Sequence, residues 1–384
     1  MDLPVEIISQ SGQLDAAIQY MANSRVIALD IESNSLHRYP EQLCLIQIAT
    51  PYKVYIIDTL LMREIPSLKG VLSGATITKV IHGADYDIRS LDRHYGFHVR
   101  NIFDTAIAAR FTGITKFGLA AIIEDLLSIT TNKSKRLQKA DWGRRPLSDE
   151  ALEYAATDVR YLIALRESLI QRLQVLGRMT WVTEECARLE DLRYEDPDLE
   201  TAYLSVKGAS KLDGSSLAML RTLFLFREKE ALRQHRPPYF IMPHATLIQL
   251  ATNPTAELSE IPGLGQKGLK RFGQGLQKAI KNGLAATPIY RTSLITTEHM
   301  SEDEFRRLKP IRKEQDRRLR RLKAWRASIG TSLSLDPSLL WPTVSLERLS
   351  KEPDTFDVEL MSGDIRQWQR DSFASSLSVL LGFL

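Results

Sequence analysis

The chain has 384 residues, 43% hydrophobic and 26% charged, an ordinary composition for a globular protein with room for two or three domains. Its net charge of +4 and pI of about 8.9 hint mildly at an anionic partner. Two cysteines, Cys44 and Cys186, exclude a disulfide framework or a cysteine zinc site; with no signal peptide in MDLPVEIISQ and no bilayer-length apolar run, the expected location is cytoplasmic.

Residues 26–30 (VIALD, continuing into IES), Leu43–Ala49 and 53–58 are the first three predicted strands, and the short link Thr50-Pro51-Tyr52 predicts a hairpin between the last two. A short helix is expected over 66–72. A fourth strand over 79–82 leads into a helix through Leu91, and a fifth strand is expected over 99–103. Helices then dominate, about Thr105–Phe111, 118–127 and 149–175. Three strands in a row followed by alternating strands and helices indicate an α/β fold with a mixed sheet.

Residues 191–200, acidic with one proline, read as a linker, and the chain after it is nearly all helical. That second half carries an internal repeat. Shifted by 99 residues, Leu220, Arg227, Pro238, Pro243, Leu247, Leu250 and Pro254 fall on Leu319, Arg326, Pro337, Pro342, Leu346, Leu349 and Pro353. The expected organisation is a first domain over 1–200 and two copies of one helical domain over 206–290 and 308–384.

Three stretches carry candidate chemistry. Asp30 and Glu32 end the first strand; two apart, they share a face, and adjacent carboxylates need a positive neighbour such as a divalent cation. Taken alone, Glu32 reads better as a solvated residue past the strand end. His82 closes the fourth strand, and Asp87 follows in the first turns of the next helix, with Asp85 as a rival; His82 reads better as a packing or capping residue than as a ligand. Ser148 is a good N-cap for the helix holding Tyr154 and Asp158, whose spacing of four puts them on one face. Alone, that pair reads better as ordinary surface.

Together these motifs, Asp30-Ile31-Glu32, His82-x-x-x-x-Asp87 and Tyr154-x-x-x-Asp158, resemble the DEDD superfamily of 3′–5′ exonucleases, and within it ribonuclease D. LCLIQIAT and the loop with Asp141, Trp142, Arg145 and Pro146 add to the likeness. Tyrosine four before the last aspartate places the resemblance in the tyrosine subclass. The repeat resembles the HRDC module, with Gly263, Gly265 and Gly268 at its helix-turn-helix tip; the second copy has MSGDIRQWQ there instead.

The resemblance implies a ribonuclease H-like exonuclease domain, two HRDC-like domains and two divalent ions, Mg²⁺ or Mn²⁺. Asp30, Glu32 and Asp158 would hold the ion that activates water, Asp30 would bridge to the second, Asp87 would lend support, and Tyr154 would orient the water. It implies RNA as partner, tRNA precursors with extra 3′ nucleotides above all, trimmed to nucleoside 5′-monophosphates. A monomer is expected, with no membrane contact. No G-x-x-x-x-G-K-[ST] is present, so no nucleotide cofactor is expected. The alternatives are a non-catalytic RNA-binding scaffold and an exonuclease acting on single-stranded DNA. Trp142 or Phe117 is a candidate base-stacking ring. The run 306–326, with eleven Lys or Arg in 21 residues, is expected to open the second copy with Pro310 in its first turn, an apolar stripe of Ile311, Leu319, Leu322 and Trp325, and a basic face that reads equally as solvated surface or as a track for RNA phosphates.

Overall fold

Six strands form one mixed sheet in the computed structural model, which describes residues 3–131, 134–290 and 302–383: β1 (Val5–Ile8), β2 (Val26–Ser33), β3 (Leu43–Ala49), β4 (Val54–Asp58), β5 (Thr78–Ile81) and β6 (Ile102–Asp104). Met1 and Leu384, the outer limits of the expected domains, lie outside these residues. The strand order is β1-β4-β3-β2-β5-β6. The β2–β3 and β3–β4 pairs are antiparallel, the latter joined by the expected hairpin, and the remaining pairs are parallel.

Period-two alternation decides how the sheet is faced. Ile27, Leu29 and Ile31 of β2 join one apolar cluster with Ile46, Ile48 and Ile57. Ala28 packs on the other side with Leu45, Ala49 and Val80, and Asp30 and Glu32 follow it in alternation. Helices α1 (Ser11–Ala22), α2 (Leu68–Ser73) and α3 (Asp85–Tyr95) bury residues in the first cluster. Five others pack into the second cluster: α4 (Thr105–Phe111), α5 (Leu119–Leu127), α6 (Lys135–Gln138), α7 (Asp149–Arg160) and α8 (Leu162–Val175), followed by α9 (Met179–Leu189). The single helix expected over 149–175 is two helices meeting at Tyr161; α7 lies on β2, β3 and β4, while α8 lies on β2 and β5 and packs against α4 and α5. Strand β1 and helix α1 precede the first strand read from the sequence.

The first helical copy comprises α10 (Leu199–Ala202), α11 (Gly214–Gln234), α12 (Pro238–Ile241), α13 (His244–Thr252) and α14 (Gly265–Leu284), around its own apolar cluster. The second comprises α15 (Glu302–Leu333), α16 (Pro337–Leu340), α17 (Thr343–Lys351), α18 (Phe356–Leu360) and α19 (Gln367–Leu381). The 99-residue shift carries α12 onto α16 and α13 onto α17, with proline opening α12 and α16 at N1 and standing at the N-cap of α13 and α17. Two expectations fail on α15. It begins at Glu302, so Pro310 sits inside the helix instead of in its first turn, and Ile311 is exposed and outside the apolar stripe. Pro310 removes one N–H from an end of the helix that lies ahead of its packed part, where the loss is tolerated.

No helix among the described residues is long and apolar enough to cross a membrane.

Candidate functional site

A carboxylate cluster forms where the ends of β2 and α3 meet the middle of α7. Strand β2 delivers Asp30 and Glu32 just before a register shift against β3 at Glu32/Ser33. Ser148 caps α7, its Oγ accepting from the Ala151 N–H at 3.2 Å, and Asp149 and Glu150 sit in the favourable first turn. Small residues Ala151, Ala155 and Ala156 are the buried face of α7 and let it approach the sheet closely, bringing Tyr154 and Asp158 to the carboxylates of β2. Asp87 reaches the site through a turn pinned by Asp104, whose carboxylate accepts from the N–H groups of Gly83 and Ala84 while also capping α4. Gly83 has φ +76°, a left-handed conformation that a side chain would strain.

Asp30, Glu32 and Asp158 each offer a carboxylate oxygen within 4.8 Å of the others. A single cation with oxygen bonds of about 2.0–2.4 Å can bridge such a span with little closure. Asp87 is buried and lines the same cavity of about 370 Å³, but it stands outside that trio. The rival Asp85 is exposed and paired with Arg89 at 3.0 Å, away from the cavity lining. His82 lines the cavity with its Nδ1 2.9 Å from Thr105 Oγ1, and burial lowers its pKa, so it stays neutral.

The electrostatics are those of a site built for positive charge. Burial raises the Asp30 carboxyl to about 7, against a small lowering from the Ile31 N–H. Glu32 is pushed well up by burial and then by the charges of Asp30, Asp158 and Asp87. Asp158 rises through burial and Asp30, offset by a hydrogen bond from Tyr154. Asp87 rises through burial, Asp30 and Asp104. Four carboxyls held up together by desolvation and one another's charge fit hard divalent cations with oxygen ligands. Tyr154 remains a neutral phenol, its pKa raised by burial and then by Asp158 and Glu32.

Two residues that sequence reasoning missed also shape the site. Gln138, from the short helix α6, interacts with the Tyr154 hydroxyl and lines both the carboxylate cavity and an adjoining one of about 320 Å³. Tyr86 hydrogen-bonds Ser33 at 2.6 Å and donates to Glu41 at 3.1 Å, tying α3 to the end of β2. Neither has a local pattern that would have exposed it. Trp142 is corrected as a base-stacking candidate: only 1% exposed, it packs beneath the Tyr154 ring at 6.1 Å. Phe117 is exposed, with Arg110 over its ring at 5.6 Å.

The loop ahead of α7 is fastened by Arg145. Its guanidinium grips Asp58 at 2.6 and 2.9 Å and donates to the carbonyls of Cys44 and Trp142. This two-pronged ion pair locks the approach to α7 onto β3 and β4.

Residues 5–174 match the 3′–5′ exonuclease family model, and residues 216–280 match the HRDC domain. Ribonuclease D of Xanthomonas oryzae pv. oryzae is 31% identical over 255 residues, covering 66% of this chain and 69% of its own. Ribonuclease D of Zymomonas mobilis is 32% identical over 289 residues, 73% of each chain. In fold, the crystal structure of Escherichia coli RNase D superposes with a TM-score of 0.72 over 99% of both chains at 22% identity.

Proposed function

We propose, from the premise that this chain belongs to the ribonuclease D family and is a 3′–5′ exoribonuclease, that it trims extra 3′ nucleotides from tRNA precursors with Asp30, Glu32, Asp87, Asp158 and Tyr154 as its catalytic set. The observation that carries the assignment is the trio of carboxylates within 4.8 Å, facing a cavity together with Asp87 and Tyr154. Two divalent ions, Mg²⁺ or Mn²⁺, would lower the pKa of the attacking water and stabilise charge on the leaving 3′ oxygen.

The chain's own residues do the remaining work. Asp30, Glu32 and Asp158 would hold the ion that activates water, and Asp30 with Asp87 in support would hold the second. Tyr154, a neutral phenol with its hydroxyl at Asp158, positions the water. Gln138 hydrogen-bonds that hydroxyl as well. Mutual repulsion among the carboxylates would favour a loaded state, because a bound cation would offset the like charges that face one another.

The test is a 5′-labelled tRNA precursor with a 3′ extension, set against a single-stranded DNA of matched sequence. Trimming from the 3′ end in Mg²⁺ or Mn²⁺, stopped by EDTA and abolished in Asp30→Asn and Asp158→Asn, is the expected result. Near-normal turnover by either variant at saturating Mn²⁺ would overturn the residue assignment. Equal turnover of DNA would favour the exonuclease reading without RNA preference.

A further inference from the structure

The first helical copy carries two adjacent exposed aromatic rings, one of them tied to a loop that lines the catalytic cavity. Tyr239 and Phe240, on α12, are 45% and 53% exposed, with ring centroids 4.6 Å apart and planes at 31°. Large rings left this open beside one another are unusual on a surface free to bury them. The Arg236 guanidinium lies over the Phe240 ring at 5.4 Å, adding positive charge to the pair.

Their position is fixed relative to the chemistry. The Tyr239 hydroxyl donates to the carbonyl of Leu36 at 2.6 Å, and Leu36 lines the carboxylate cavity with Glu32 and Asp87. Three residues further along that loop, Tyr39 packs against the apolar cluster of the first helical copy, so the copy holds this loop at two points. Arg38, exposed between them on the same loop, lines an adjoining cavity that shares Ser35 with the carboxylate one and adds a second cation beside it. Aromatic faces interleaved with arginines, continuous with a cavity that must receive one frayed strand, match the chemistry of an unpaired nucleic-acid segment.

We propose that Tyr239 and Phe240 form a stacking platform for the unpaired nucleotides just upstream of the 3′ end in the cavity, with Arg236 and Arg38 meeting their phosphates. This rests on the assignment of the carboxylate cavity as the catalytic one. Through the platform the first helical copy holds the strand that the cavity is shortening. It does so without reading sequence, since every base has a π-face.

The experiment compares an RNA dinucleotide, too short to leave the cavity, with a single-stranded ten-mer carrying 2-aminopurine at successive upstream positions. In the wild-type enzyme one or more upstream 2-aminopurines are quenched on binding. Tyr239→Ala combined with Phe240→Ala removes that quench and raises KM for the ten-mer roughly ten-fold or more. It leaves kcat and dinucleotide hydrolysis near the wild-type values. Phe240→Trp retains the quench, and Tyr239→Phe, which keeps the ring and loses only the tie to Leu36, keeps most of it. An unchanged KM and quench in the double alanine variant overturns the platform. Equal losses on dinucleotide and ten-mer also overturn it, by showing that the rings support the fold and not the strand. Asp30→Asn on the dinucleotide tests the cavity separately: an inactive variant upholds the premise, and an active one removes it.

Discussion

Asp30 carries its charge at a cost that only a cation relieves. Its carboxyl stands at about 7, against a value near 3.9 in an unfolded chain. A raised folded-state pKa stabilises the protein fully below the unfolded value, and that stability is lost as pH climbs through the folded one. The metal-free enzyme should therefore melt at progressively lower temperature between about pH 4 and pH 7. Asp30→Asn removes the group, so in EDTA the Tm of the variant should overtake that of the parent across this window, and Mg²⁺ should close the gap by binding only the parent's ionised cluster. A Tm difference independent of pH would show that Asp30 is not under this strain. Tyr154→Phe deletes one hydroxyl and keeps the ring against Trp142. Single-turnover kinetics should fall roughly ten- to a thousand-fold with RNA affinity unchanged; a wild-type rate would return Tyr154 to a packing role. Periods of two and 3.6 showed that Asp30 shares a face with Glu32 and Tyr154 with Asp158, but only the resemblance to the DEDD exonucleases joined the two pairs into one site. The choice of Asp87 over Asp85 was not settled by periodicity: both lie in the first turn of α3, and only the buried cavity against the Arg89 ion pair separates them.

At the scale of elements, α7, the helix that carries Tyr154 and Asp158, depends on a clamp several residues before it. Arg145 satisfies Asp58, two carbonyls of its own loop and one of β3, and Asp58 also accepts from the N–H groups of Leu60 and Leu61. Arg145→Met leaves a nearly buried carboxylate facing an apolar side chain, which should cost roughly 3–5 kcal/mol. Denaturant unfolding should show that loss, and kcat should fall because α7 is no longer held against β2. Adding Asp58→Asn should recover a good part of the stability. Additive losses in that cycle would mean the two side chains act independently. The sequence pointed to Arg145 through its loop motif, yet its partner on β4 is far away in the chain, so no local signal named Asp58. Strand β1 escaped for a different reason: it is a four-residue edge strand with Val5 and Ile7 exposed, too short and too open to show a hydrophobic pattern. The break at Tyr161 escaped because no Gly or Pro marks it; it shows only as a departure of the Tyr161 backbone, φ −103° and ψ −6°, from helical values.

Across the whole molecule, the two helical copies sit differently, although a 99-residue period links their sequences. The first keeps its own apolar cluster, whereas Leu322, Trp341, Leu349 and Trp368 of the second belong to the same cluster as the α7 side of the sheet. The joint is α9. Trp181 stacks on Trp368 with centroids 4.6 Å apart, and the Phe111 ring meets the Trp368 ring edge-on at 5.3 Å. Glu184 accepts from the N–H groups of Gln367 and Trp368, capping α19, and Glu185 accepts from Arg366 and the Trp368 indole. The MSGDIRQWQ departure from the first copy's glycine tip is thus part of an internal interface. The basic face of α15 is also partly engaged within the copy: Arg318 and Arg321 donate to the carbonyls of Ser350 and Leu380, and Arg317 pairs with Glu314. The second copy should therefore unfold together with the exonuclease sheet. Trp368→Ala should cost roughly 3–5 kcal/mol and lower the calorimetric transition that contains both. Hydrogen exchange should quicken in α9 and α19 alike, while the first copy's α11 and α14 keep their protection. If the second copy were a tethered arm for RNA, Trp368→Ala would lower a transition of its own, α9 would keep its protection, and trimming of a short oligonucleotide would proceed at the parent rate at temperatures above that transition.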